Sequence, residues 1–83
     1  MDIKDTIRSF MIEEFKESGF HAGIRDDESL IDTNILDSLS ILKLISFMDE
    51  HFDIMPDEDE LRPQTFGTID DIKSFIERKT AAK

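Results

Sequence analysis

Apolar residues recur along the chain in three blocks at helical spacing, separated by two stretches in which the period is lost. In the first block, "MDIKDTIRSFMIEEFKESGF", Ile3, Ile7, Phe10, Met11 and Phe15 share one face. The spacing predicts a helix over about residues 2–18, with Asp2 or Asp5 at its electropositive start and Gly19 as its stop. The second block opens at Asp37-Ser38 and continues through "LSILKLISFMDEHF". There Ile41, Leu44, Ile45, Met48 and Phe52 stand at i, i+3, i+4, i+7 and i+11, a single core-facing stripe, with Phe47 at its edge. The third block begins at Thr68 in "TIDDIKSFIERKT". Ile69, Ile72 and Ile76 form its buried face with Phe75 beside it, and Thr68 with Asp71 resembles a capping box.

The first interruption, "FHAGIRDDESLIDTNIL", carries turn formers at Gly23, at Asp26-Asp27-Glu28 and at Asp32-Thr33-Asn34. Ile24, Leu30, Ile31, Ile35 and Leu36 nevertheless need apolar surroundings, so a long loop anchored to the core is expected rather than a free linker. In the second interruption, "DIMPDEDELRPQTF", Pro56 and Pro63 confine any helix to one or two turns, and Phe66 is expected to plug the core. The tail "TAAK" should fray. No strand, internal repeat or low-complexity segment is evident. The expected architecture is an all-α, four-helix bundle in one domain over residues 1–83, three main helices plus one short helix, with a long loop between helices one and two. Its core would draw on Ile7, Phe10, Met11, Phe15, Ile41, Leu44, Ile45, Met48, Phe52, Ile72 and Ile76.

Composition narrows what such a bundle can do. At 83 residues the interior is too small for a deep substrate cleft. Ten Lys and Arg against twenty Asp and Glu give a formal charge of −10, which disfavours nucleic acid and anionic membranes and favours proteins that present basic patches. The absence of cysteine excludes disulfides and thiolate metal sites. With no apolar stretch of spanning length and no secretory signal pattern, a cytoplasmic, monomeric protein without membrane insertion is expected.

Catalytic chemistry finds no support either. His21 and His51 are far apart in sequence, and neither sits in metal-ligand spacing. The acidic run Asp57 to Glu60 lacks the central Gly of a calcium loop, so no metal site is predicted. No Ser-His-Asp set and no glycine-rich phosphate loop is present, which points to a non-catalytic protein.

Ser38 is the distinctive position. A serine or aspartate at a helix start needs no more than capping to explain it. A phosphodiester on Ser38 would also sit at the positive end of the second helix, flanked by Leu39 and Leu42, which lie off the core stripe and suit an apolar docking patch. The residues alone leave both readings open.

Taken together, "ILDSLSILKLISFMDEHFDIMPDEDELRPQTFGTIDDIKSFI" resembles the acyl carrier protein family, which includes peptidyl, aryl and D-alanyl carriers. The likeness runs over nearly the whole chain. It rests on Asp-Ser-Leu before the second helix and on "FDIMPDE" one helix later. The resemblance implies a four-helix carrier bundle in which Ser38 accepts 4′-phosphopantetheine from coenzyme A through a phosphopantetheinyl transferase. The thiol of that arm would hold acyl or aminoacyl groups as thioesters, supplying what a chain without cysteine lacks. Implied partners are an acyl-loading ligase or acyltransferase and downstream synthase enzymes of fatty-acid, polyketide or nonribosomal-peptide biosynthesis.

The resemblance also implies a recognition surface. Asp37 would lie beside the modified serine, and Leu39 and Leu42 match the family's partner face. Housekeeping fatty-acid carriers present acids where this chain has Ser40 and Lys43, and an exposed Met where it has Ser46, while Asp49 and Glu50 keep acidity further along. The loop "SLIDTNILDSL" looks more like that of free-standing D-alanyl or specialised-pathway carriers. The competing expectation is a small acidic helical interaction module without covalent cargo, in which Ser38 only caps a helix.

Overall fold

The computed structural model describes residues 2–81, apart from the side chains of Ser38 and Pro63, which lie outside the described residues together with the last two residues of the expected fraying tail. Helix α1 spans Ile3–Phe15, α2 spans Ser38–Phe52 and α3 spans Ile69–Ala81. Short 3-10 turns occupy Lys16–Ser18, Glu58–Glu60 and Pro63–Phe66, and no strand occurs among the described residues.

The helix ends follow from the residues at them. Asp2 is the N-cap of α1, its carboxylate accepting the Lys4 N–H at 3.1 Å. The last turn of the expected first helix tightens to 3-10 geometry at Lys16–Ser18 before Gly19, whose φ of 107° is open to glycine at little cost. Asp53 closes α2 in the left-handed region, its N–H donating to the Asp49 carbonyl at 3.0 Å. At α3, the Thr68 hydroxyl accepts the Asp71 N–H at 3.0 Å, as the capping pattern predicts.

The expected short fourth helix is realised as two separate 3-10 turns. Asp57 and Glu60 cap each other's backbone around the first, with Glu60 accepting the Asp57 N–H at 2.7 Å. Pro63 then supplies no N–H donor, so no α-helical ladder can run across it from the first turn. Lys79 of α3 holds the first turn through Asp57 at 3.0 Å and Glu60 at 2.6 Å. Asp57 and Glu60, the two ends of the acidic run, are thus accounted for by capping and by one lysine.

The core gathers Ile7, Met11 and Phe15 of α1, Ile41, Leu44, Ile45 and Met48 of α2, and Ile69, Ile72, Phe75 and Ile76 of α3. Phe66 is fully buried between them and meets Phe75 edge-on at 5.2 Å. Two residues expected inside, Phe10 and Phe52, are only half-buried and pack on the rim. The loops contribute Phe20, Ile24, Leu30, Ile35, Leu36 and Ile54 to the buried set. Phe20 and Ile54 lie outside any helical period, which is why spacing does not single them out.

The long loop is tied down by backbone and charge as well as by its apolar anchors. Leu30 donates its N–H to the Gly67 carbonyl at 2.7 Å, and Asp70 donates to the Asp26 carbonyl at 3.0 Å. Asp26 accepts from Lys4 at 2.8 Å and Arg8 at 2.7 Å, and Arg8 also donates to the Ala22 and Ile24 carbonyls. Lys4 continues to Asp70 at 3.0 Å, so one small ion network joins α1, the loop and α3.

The Lys4 hydrogen bond, followed by that of Arg8, holds the Asp26 carboxyl below its ordinary 3.8. A depressed folded pKa stabilises at pH values above the unfolded one, and the contribution is lost as pH falls through the lower folded value. Asp26→Asn is therefore expected to melt a few degrees below wild type at neutral pH. In thermal unfolding followed by circular dichroism, that gap should close as pH drops below 3.8. A gap that is constant through acid would show that the network does not act through charge.

Candidate functional site

The loop delivers its last residues to α2 in a defined way. Asn34 adopts φ of 62°, and Ile35 and Leu36 both donate their N–H groups to the Leu30 carbonyl, at 3.0 and 2.9 Å. Ile35 and Leu36 are buried, so the chain is gripped immediately before it emerges at Asp37. Local reversal and apolar burial together set where α2 begins.

Asp37, not Ser38, is the N-cap. Its Oδ1 accepts the N–H groups of Leu39 at 3.0 Å and Ser40 at 2.9 Å, and its backbone is extended, with φ of −130° and ψ of −172°. The Ser40 N–H bond, first among several, holds the Asp37 carboxyl below its ordinary range, so it is anionic at neutral pH. Ser38 occupies the first helical position. Its side chain, on which the expected phosphodiester would be built, lies outside the described residues.

Around this corner the sequence-predicted residues separate by exposure. Leu39 is 75% exposed and Leu42 59% exposed, so both stand clear of the core as their register predicts. Lys43, Ser46, Asp49 and Glu50 are exposed along the same helix, while Ser40 is half-buried. Met55 and Leu61, at 56% and 54%, are two further exposed apolar side chains. They follow the second helix in an irregular stretch, where no periodicity distinguishes an exposed apolar residue from an anchored one.

Among the described residues no three His, Asp or Glu side chains converge as metal ligands, and no buried side-chain polar atom lacks a partner. None of the described helices is long and apolar enough to cross a membrane.

An acyl carrier protein of Bdellovibrio bacteriovorus is 37% identical over 60 residues, covering 71% of this chain and 73% of that relative. No protein-family model matches the chain. The chain belongs to the acyl carrier protein family.

Proposed function

We propose that this protein is a non-catalytic carrier that presents acyl or aminoacyl groups on a 4′-phosphopantetheine arm attached to Ser38. The observation that carries the reading is the architecture of the α2 start: Asp37 takes the capping role, which leaves Ser38 free of it, and Leu39 and Leu42 stand exposed next to it. Membership of the acyl carrier protein family supports it independently. The arm would supply the thiol that a cysteine-free chain cannot.

The chain's own residues have definable parts in this role. Asp37 orders the first turn of α2 and so fixes the backbone direction of Ser38. Because Asp37 already accepts the Leu39 and Ser40 N–H groups, a phosphodiester on Ser38 would benefit from the helix field without needing those two donors. Leu39 and Leu42 offer the apolar contact a transferase or synthase enzyme can desolvate. Lys43 and Ser46, in place of acid and Met, weaken the match to enzymes that present only basic patches, and favour dedicated partners of a specialised pathway.

Incubation with coenzyme A and a permissive phosphopantetheinyl transferase is the direct test. Intact mass is expected to rise by one phosphopantetheinyl group, with a free thiol detectable afterwards. An unchanged mass would overturn the carrier reading and leave the interaction module without cargo.

A further inference from the structure

The stretch 55–62 crosses from α2 towards α3 with little to hold it. Ile54 before it and Phe66 beyond it are buried, whereas no residue from Met55 to Arg62 is. Its hydrogen bonds are local. Glu60, Leu61 and Arg62 donate their N–H groups to the Asp57, Glu58 and Glu60 carbonyls, and Thr65 donates to the Arg62 carbonyl. Arg62 Nε donates to the Asp59 carbonyl at 2.8 Å, and the Asp57–Glu60 capping box closes on itself. Among the described residues, one side chain from outside reaches the stretch through polar atoms. It is Lys79 of α3, on Asp57 at 3.0 Å and on Glu60 at 2.6 Å.

The setting of Lys79 strengthens that hold. Its side chain and that of Glu60 are 19% and 20% exposed, so the pair is partly shielded from solvent. Lys79 Nζ lies 5.8 Å from the centre of the Phe75 ring, which is fully buried and meets Phe66 edge-on. A cation placed between an aromatic face and two carboxylates is favoured by both. A segment with buried ends, local hydrogen bonds and exposed side chains between them opens at far lower free energy than the whole fold. Here the contact that resists such opening is ionic.

We propose that Lys79 latches the stretch 55–62 as a strap. With its ion pairs made, the strap lies closed on the end of α3; when they are lost, it swings out between Ile54 and Phe66 while the three helices stay packed. Ser38, Leu39 and Leu42 take no part, so the strap operates whether or not Ser38 is modified.

A glutamate-specific endoprotease acting on the full chain reads the open state, because cleavage inside a folded protein tracks the population of the opened form. Fragments ending at Glu58 or Glu60 are quantified by mass spectrometry. Lys79→Met removes the charge and keeps most of the side-chain volume. Cleavage at those two sites is expected to run about two- to tenfold faster than in wild type, the range for two part-exposed charge pairs. Lys79→Arg should stay near the wild-type rate. The ratio of the Lys79→Met rate to wild type should fall towards one in about 1 M salt, where the screening length is about 3 Å. Lys4→Met controls for general destabilisation, since it breaks the comparable pairs to Asp26 and Asp70 without touching the strap, and its rate at Glu58 and Glu60 should match wild type. Equal acceleration in Lys79→Met and Lys4→Met would mean that cleavage passes through global unfolding, and would overturn the proposal. So would an unchanged rate in Lys79→Met, a Lys79→Arg rate as fast as that of Lys79→Met, or a ratio indifferent to salt.

Discussion

Ser38→Ala is expected to abolish phosphopantetheine transfer completely while leaving the fold standing. The side chain that caps α2 belongs to Asp37, which accepts the Leu39 and Ser40 N–H groups at 3.0 and 2.9 Å. Removing the Ser38 hydroxyl leaves both bonds in place, and alanine has the highest helix propensity of any residue. The melting temperature should therefore move by no more than about 3 °C, the scale of a neutral surface change in a domain of this size. Mass spectrometry after exposure to coenzyme A and transferase should show the unmodified mass alone. A gain that survives the substitution would remove Ser38 from its proposed role. A collapse of the fold would instead mean that Ser38 helps hold α2, contrary to the capping geometry. Asp37→Ala supplies the contrast, since it deletes the cap and should destabilise while keeping the hydroxyl.

Phe66→Ala should have the largest effect on stability. Phe66 ends the Pro63–Phe66 turn, is completely buried, and packs edge-on against Phe75. Truncating a buried phenylalanine costs about 3–5 kcal/mol through lost transfer energy and the cavity left behind. A domain of 83 residues has a total stability of roughly 4–12 kcal/mol, so a large share would disappear. A fall in melting temperature of more than about 10 °C is expected, read by circular dichroism or by the urea midpoint. Phe66→Leu, which fills most of the volume, should recover the greater part. An unchanged midpoint in the alanine variant would show that the turn carries no core weight.

Both outcomes depend on positions that the amino-acid pattern makes visible to different degrees. The stripe at Ile41, Leu44, Ile45 and Met48 reads directly as a buried helix face, because helical period and burial are the same constraint seen twice. Leu39 and Leu42 could be placed outside the core by register alone. Helix boundaries are equally legible at Gly19 and Thr68, where one permissive φ angle or one side chain settles the matter locally, whereas the choice of Asp2 over Asp5 at the start of α1 rests on the hydrogen bond that the Asp2 carboxylate accepts from Lys4.

The short fourth helix was less so. Its acids and prolines mark a brief turn, but the division into Glu58–Glu60 and Pro63–Phe66 follows from where Lys79 holds the first turn and where Phe66 must reach the core. Loop residues such as Phe20 and Ile54 are buried through distant neighbours, and a periodic signal does not exist for them.

The opening corner at "ILDSLSIL" shows the same division. Residue types alone allowed either Asp37 or Ser38 to cap the second helix, because both are good acceptors at that position. The backbone decides it: an extended Asp37 aims its carboxylate at two N–H groups, which places Ser38 inside the helix. By itself, then, the sequence determined the helical period and the exposure of Leu39 and Leu42, since each depends on residues within a few positions of one another. Only the tertiary structure decided which faces meet. Phe10 against Phe47, Asp26 between Lys4 and Arg8, and Lys79 on Glu60 all join residues well separated along the chain, where periodicity gives a face but never its partner.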